Sequence, residues 1–202
     1  MERAITGFDR DDVGDWVAQL ACGHRQHVRH RPPFQQRPWV TSPGGRRSRV
    51  GAPLECRLCE RAELPEGLVA GRRSPSWDEA TLPAALRRDH RLAEGTWAVV
   101  TVESGRARLT ARTDPPLDRA LETGDTQPVP PAVCHQVTPV GAVRLHLEFF
   151  AVPAAPNGEI VADEMPDDAD EGGDPACWAG LLCPDCGAVL DGGPHRPPCT
   201  DG

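Results

Sequence analysis

The chain has 202 residues and a formal net charge of −8, with 22 prolines, 20 glycines, eight cysteines and no tyrosine. No apolar run reaches the roughly 20 residues of a membrane-spanning helix, and the start MERAITGFDRDD lacks the apolar core of a signal peptide, so we expect a cytoplasmic protein without a membrane partner. In a reducing compartment the cysteines are better metal ligands than disulfide partners, and the prolines and glycines favour strands and turns over long helices.

Composition and charge divide the chain into four parts. Residues 1–75 carry a net charge of +4, whereas residues 156–202 carry −10. We expect an N-terminal module at 1–63, a second domain at 64–152, an acidic flexible linker at 153–176 and a small C-terminal module at 177–202.

The first module begins with two predicted strands, AITGFDR and DWVAQLA, joined by a turn in which Gly14 can adopt a positive φ. A brief strand is predicted at WVT, and the following SPGGRRS is predicted to be a turn.

Two ligand pairs in this module have the spacing of a zinc site. Cys22-Gly-His24 is followed by Cys56-x-x-Cys59, and three thiolates with one imidazole make a closed, structural tetrahedral centre. His27 and His30 compete with His24 for the histidine position. The alternative is a set of buried cysteines without metal.

Arginines surround these histidines in the sequence: Arg25, Arg29, Arg31 and Arg37. Arginines can contact phosphates, but the sequence shows no reading helix and no lysine, so a solvated basic face is the favoured interpretation.

The blocks ITGF, DWVA, CGHRQHVRHRPP and RPWV, closed by a CxxC pair, resemble a small bacterial domain of unknown function. That resemblance covers about a third of the chain and implies no established activity.

The second domain is predicted to be rich in short strands. SWDEATLPAALRR indicates one or two helical turns, and TWAVVTVE with RARLTAR indicates a hairpin about Ser104-Gly105. Further strands are predicted near 125–129, 135–138 and 142–150. Many short strands between turns are typical of a sandwich or small barrel.

TLPAALRRDH, Gly95-Thr96-Trp97, Ser104-Gly105, the segment 130–135 and RLHLEFF resemble the small cupin family that includes YeaR and the N-terminal part of the tellurite-resistance protein TehB. The resemblance implies a compact β-barrel containing a pocket. No glycine-rich nucleotide loop follows a strand, so the methylation activity of full-length TehB proteins is not implied.

In cupins a metal is typically held by histidines and a carboxylate, which implies His90, His135 and Glu148 here, with His146 as a replacement or addition. Independently, strand alternation places His146 and Glu148 on one face, where buried polar groups would need partners. The partner is either a divalent ion (Zn, Fe or Mn) or, alternatively, a His–Glu hydrogen bond.

The C-terminal spacing Cys183-x2-Cys186-x8-His195-x3-Cys199 resembles a truncated zinc ribbon, with Cys177 left over. A segment this short needs such a metal to build a core.

The fold class expected is therefore mainly β: a small cupin-like barrel flanked by two zinc-binding modules. The favoured function is a cytoplasmic metal-binding cupin-type protein of the stress response, related to tellurite, other oxyanions or nitrosative stress, which binds or transforms a small molecule. The alternative is a non-enzymatic, zinc-dependent interaction or sensor protein with a protein or nucleic-acid partner; nucleic acid is the less favoured. Enzyme activity and homo-oligomer formation stay open.

Overall fold

The computed structural model describes residues 1–153, and its N-terminal part is a four-stranded antiparallel sheet. The strands lie in the order β3-β2-β1-β4, with bounds β1 Glu2–Arg10, β2 Trp16–Leu20, β3 Arg25–His27 and β4 Pro53–Glu55. The Asp11 carboxylate accepts the Val13 and Asp15 amides in the first turn, where Gly14 has a φ of 86°. The predicted first hairpin is confirmed.

Three short helices lie beyond the hairpins of this module. The predicted strand at WVT is wrong, since Pro38–Thr41 form a 3-10 helix that begins at a proline, which has no amide to donate to a ladder. Helix α1, Pro43–Arg47, follows Ser42, whose hydroxyl accepts the Gly45 amide. Helix α2, Arg57–Glu60, begins directly after Cys56.

The second part of the chain forms a curled seven-stranded sheet, ordered β10-β8-β11-β5, with β6 and β7 paired to β11 and β9 paired to β8. Its strands are β5 Val69–Arg73, β6 Trp77–Asp78, β7 His90–Arg91, β8 Thr96–Ala111, β9 Leu117–Glu122, β10 Thr126–Val129 and β11 Cys134–Ala151. Strands make up 49% and helices 8% of the structure, which confirms the mainly β prediction. Within residues 1–153, no helix has the length and apolar character needed to cross a membrane.

The predicted hairpin about Ser104-Gly105 is wrong, because β8 runs straight through both residues. Gly105 has a φ of 80°, and a Cβ added there would lie 2.1 Å from the Ala142 carbonyl oxygen. This glycine therefore permits a close approach of β8 to β11 at a bulge rather than a chain reversal. The two strands predicted at 135–138 and 142–150 are joined in β11, and the predicted helical turns after Ser76 contain no α-helix.

Strand alternation fills the interior of the curled sheet with apolar side chains. Leu145, Leu147 and Phe149 of β11 pack in one buried cluster with Val100 and Val102 of β8. The core therefore takes the odd-numbered positions of β11 in this stretch and the even-numbered positions of the first half of β8.

The opposite face of β8 supports the N-terminal sheet. Trp97 is fully buried among Ile5, Leu20 and Val28 of the first module, and Phe150 of β11 packs on the same cluster. The two sheets therefore share a hydrophobic core, and this core contains the N-terminal cysteines.

Candidate metal centre

Four predicted ligands of the N-terminal module converge on one point. The Sγ atoms of Cys22, Cys56 and Cys59 and a ring nitrogen of His24 all lie within 4.8 Å of one another, and the four residues are buried. His24 Nδ1 lies 3.4 Å from the Cys22 sulfur, 3.3 Å from the Cys56 sulfur and 3.5 Å from the Cys59 sulfur. The Cys22 and Cys56 sulfurs are 3.9 Å apart.

These separations match the edges of a zinc tetrahedron. Bonds of about 2.3 Å to sulfur and about 2.0 Å to nitrogen give edges of roughly 3.8 Å between two sulfurs and roughly 3.5 Å between sulfur and nitrogen. The donor set therefore fits a tetrahedral ion in both size and chemistry. With four protein ligands no coordination position is left for a substrate, which is the arrangement of a structural rather than a catalytic centre.

Two tight turns bring the ligand pairs together. Cys22 and His24 lie in the turn between β2 and β3, which is closed by the Gly23 amide on the Leu20 carbonyl and the Leu20 amide on the His24 carbonyl. Gly23 has a φ of 88°, so it permits the reversal that places both side chains on the same ion. Cys56 precedes α2 and Cys59 lies within it, so one helical turn aligns the second pair.

The pKa shifts within the cluster favour the binding of a cation. Hydrogen bonding with Cys22 and Cys59 lowers the pKa of Cys56, whereas hydrogen bonding with Cys22 and Cys56, together with burial, raises the pKa of Cys59. Burial opposes charge on His24, but the sulfurs of Cys22 and Cys56 outweigh it and raise its pKa to about 9. Protons must therefore be shared among crowded groups, and a divalent cation would replace those protons while keeping the thiolates charged.

The two rival histidines lie elsewhere. His27 is half-exposed and contacts the Asp11 carboxylate at 2.7 Å, while His30 Nδ1 accepts the Arg37 amide. Of the three candidates, the structure brings His24 to the cysteines.

A residue of the second sheet completes the surroundings of the cluster. The Trp97 indole N–H donates to the Cys22 carbonyl oxygen over 2.7 Å, and its ring meets the His24 ring edge to face with centroids 5.5 Å apart. The sequence pattern does not assign Trp97 to the metal centre. The available signal is its position in the strand: it alternates with the core residues Ala98 and Val100, so its side chain faces away from the barrel interior.

A second pair of predicted ligands meets at one end of the curled sheet. His90 and His135 are directly paired residues of β7 and β11, both buried, with ring centroids 5.4 Å apart. His135 Nδ1 donates to the Val133 carbonyl over 3.0 Å, which leaves Nε2 as the acceptor nitrogen. That Nε2 is buried and has no hydrogen-bond partner within residues 1–153. Burial, with a smaller effect from His90, lowers the pKa of His135 to about 4.

Comparison with known proteins covers both parts of the chain. Residues 6–63 match the family model described as a protein of unknown function, DUF3565, and residues 72–147 match the model of the TehB-like domain. A DUF3565 segment is thus followed by a TehB-like domain. The resemblances stated for these two segments are confirmed, whereas the zinc-ribbon resemblance of the C-terminal segment is not shown. A search of the curated proteins finds no match.

Solved structures similar to the chain include a protein of E. coli strain K12, at 20% identity over 45% of this chain and 97% of that one, with a TM-score of 0.41. TehB from Haemophilus influenzae is 20% identical over 43% of this chain, with a TM-score of 0.37, and the matched part spans 32% of that protein. A cupin protein from Bacteroides fragilis is 16% identical over 50% of this chain and 72% of that one, with a TM-score of 0.28.

The other two barrel candidates do not join the histidine pair of the TehB-like domain. His146 and Glu148 occupy the even-numbered positions of β11, opposite the face on which Leu145, Leu147 and Phe149 enter the core. The implied pocket metal site of His90, His135, His146 and Glu148 is therefore corrected: His146 Nδ1 lies 2.8 Å from the Glu103 carboxylate on the outer face. Within residues 1–153, the N-terminal cluster is the one group of three or more potential ligands close enough to share an ion.

The predicted C-terminal ligands Cys183, Cys186, His195 and Cys199 lie outside the described residues, as does nearly all of the expected linker at 153–176.

Proposed function

We propose that this protein is a zinc-stabilised, cupin-type binding protein of the cytoplasmic stress response. Zinc at Cys22, His24, Cys56 and Cys59 holds the DUF3565 segment against the TehB-like domain. The TehB-like domain binds a small molecule or oxyanion, such as tellurite, beside His90 and His135. The observation that carries the proposal is the convergence of three thiols and one imidazole at tetrahedral spacing.

The closed ligand set supports a structural role for the zinc. All four ligands come from the protein, and all four side chains are buried in the core that the two sheets share. Zinc there contributes folding free energy rather than Lewis-acid chemistry. Ligand binding therefore has to be sought elsewhere in the molecule.

The His90–His135 pair supports the second half of the proposal. A buried, neutral imidazole with an accepting Nε2 is poised to bind a divalent ion (Zn, Fe or Mn) or the protonated oxygen of a ligand. Two histidines alone leave several coordination positions for other ligands, in contrast to the N-terminal cluster.

Metal content of the full-length chain tests the zinc half of the proposal. We expect Cys59→Ser to lose about one equivalent of zinc relative to the wild type, since a structural site needs its fourth ligand. His27→Ala is the matched control, because His27 lies close in sequence but pairs with Asp11 at the surface, and it should lose none. Unchanged zinc in Cys59→Ser would remove the structural-site assignment.

Ligand binding tests the TehB-like domain separately. Calorimetric titration of the full-length protein with tellurite, selenite and nitrite should give a saturable signal for at least one, and His135→Ala should abolish it while zinc content stays unchanged. If no oxyanion binds, or if His135→Ala binds as the wild type does, the stress-ligand proposal fails although the zinc assignment stands.

A further inference from the structure

The DUF3565 segment contains a cavity distinct from the zinc cluster. It has a volume of about 240 Å³ and lies between the first hairpin, the chain after β3 and the 3-10 helix Pro38–Thr41. The polar and aromatic part of its lining consists of Arg10, Asp15, Trp16, Arg29, His30 and Arg31, with Thr41 at one side. Cationic donors therefore dominate this lining.

Two guanidinium groups lie over the indole ring of Trp16. The Arg46 group is 3.6 Å from the ring centroid and the Arg10 group is 4.4 Å from it. Arg10 also donates to the Gly14 carbonyl and Arg46 to the Val40 carbonyl. Cation–π contact and hydrogen bonding thus hold both side chains in place before any ligand arrives.

The positive charge of the cavity exceeds its counter-charge. Asp15 is the carboxylate in the lining, and it already pairs with Arg29 at 2.7 Å. Within residues 1–153, the lining residues Arg10 and Arg31 form no ion pair with a carboxylate, and neither does Arg46, which lies behind the lining over Trp16. Burial lowers the pKa of Arg46, and the positive charges of Arg10 and Arg47 lower it further, as expected where like charges crowd without an anion.

His30 adds an oriented neutral donor. Its Nδ1 accepts the Arg37 amide, so the neutral ring carries its proton on Nε2. The cavity therefore offers guanidinium forks and an imidazole N–H, whereas the Thr41 hydroxyl already donates to the Pro38 carbonyl.

We propose that this cavity binds a small phosphate-type oxyanion, either as a free ion or as the phosphoryl group of a small ligand. Guanidinium groups match the paired oxygens of such anions, and pre-positioned arginines lose little side-chain entropy on binding. A single-stranded nucleic acid is less well suited, since guanidinium groups already lie over the ring on which a base would stack. The site is independent of the ligand proposed for the TehB-like domain.

Nuclear magnetic resonance of the ¹⁵N-labelled full-length protein tests this site. Sodium phosphate is titrated against sodium chloride of equal ionic strength, and the indole N–H of Trp16, assigned with Trp16→Phe, is followed. We expect a saturable shift with phosphate that chloride does not give. A phosphomonoester and a short oligothymidylate are titrated in parallel to identify the source of the phosphate group.

Arg31→Gln and Arg119→Gln make a matched pair of variants. Each removes one positive charge, but Arg31 lines the cavity whereas Arg119 is an exposed residue of β9. Arg31→Gln should weaken phosphate binding about tenfold, and Arg119→Gln less than about twofold. Because the Arg31 side chain is exposed and forms no ion pair within residues 1–153, its replacement should leave the fold intact; Arg10→Gln provides a second test of the same cavity.

Absence of a phosphate-dependent Trp16 shift in the wild type would overturn the proposal. Equal weakening by Arg31→Gln and Arg119→Gln would also overturn it, since the effect would then be one of net charge. Tighter binding of the oligothymidylate than of either small phosphate would replace it with a nucleic-acid site.

Discussion

The N-terminal cluster and the His90–His135 pair are both buried groups of potential ligands, but they arise from different backbone geometry. The cluster is built on two turns, which direct four side chains to one point. The histidine pair is built on adjacent strands, where only directly opposed residues on the same face can meet. Turns can therefore close a tetrahedral site within a small module. In the strand β11, by contrast, alternation places the other two candidates, His146 and Glu148, on the opposite face of the sheet from His135.

The two regions also satisfy their polar atoms differently. Within the cluster the His24 ring nitrogen lies within 3.5 Å of all three cysteine sulfurs, and a cation would balance the negative charge of the crowded thiolates. At the pair, His135 avoids the cost of burial by staying neutral. The stability contributed by the N-terminal cluster should thus depend on metal, and that contributed by the His90–His135 pair on pH.

Metal removal should have the largest effect. Structural zinc sites contribute on the order of 10 kcal/mol in small zinc-dependent peptides, so a strong chelator should unfold the DUF3565 segment. Because Trp97 belongs to the shared core, we expect its fluorescence to change and the melting temperature of the whole protein to fall. Tryptophan emission spectra and thermal unfolding followed by circular dichroism, each before and after adding zinc back, measure the two effects. An unchanged melting curve after verified zinc loss would show that the cluster is not structural.

Acid should destabilise the protein through His135. Its pKa is about 4 in the folded state against an ordinary value of 6.5, so the unfolded chain takes up the proton first as pH falls. The stabilisation present above pH 6.5 is lost progressively towards pH 4, by at most about 3 kcal/mol. Urea unfolding of the wild type and of His135→Gln, which cannot titrate, should show stability curves that converge as pH falls. Parallel curves would contradict a neutral buried His135.

The sequence predicted the cluster because its chemistry is local. A glycine between Cys22 and His24, and a CxxC pair on one helical turn, determine ligand direction within a few residues. Selecting His24 over His27 and His30 needed the register of β2 and β3, which places His27 beside Asp11. The family resemblance of each of the two described parts could also be recognised from the sequence, because it rests on blocks of residues rather than on contacts.

The barrel site was harder to predict because strand alternation leaves the direction of each face open. His146 and Glu148 share a face, but so do Leu145, Leu147 and Phe149, and burial of the apolar set determines which side faces in. The role of Gly105 is open in the sequence for a related reason: a glycine with positive φ suits a hairpin turn and a bulge equally, and only the approach of Ala142 distinguishes them. The role of Trp97 beside the cluster could not be predicted either, because it arises from a contact between two sheets that are distant in sequence.

Trp97 is the contact between the N-terminal cluster and the second sheet, and a substitution there can break that contact. Trp97→Phe keeps most of the ring but removes the hydrogen bond to Cys22, so we expect a loss of about 2 kcal/mol in unfolding free energy. Zinc affinity, measured by competition with a chelator, should fall up to about tenfold, because the Cys22 carbonyl loses its donor. Leu109→Ala, a change confined to the core of the TehB-like domain, should lower stability without altering zinc affinity. Equal zinc affinities in both variants would show that Trp97 only packs.

The smallest effect on metal content and ligand binding is expected from substitution of His146. This substitution distinguishes the two faces of β11. Its Nδ1 is engaged by Glu103, whose carboxylate also accepts from Ser76, Arg73 and Arg144. The contacts with the Ser76 hydroxyl first, and then with Arg144 and His146, outweigh burial and lower the pKa of Glu103 to about 2, so the carboxylate stays charged and holds the imidazole on the outer face. His146→Ala should therefore leave metal content and oxyanion binding unchanged, whereas His135→Ala changes the latter. Loss of metal in His146→Ala would mean that β11 presents its other face to the ligand, because the two histidines lie on opposite sides of that strand.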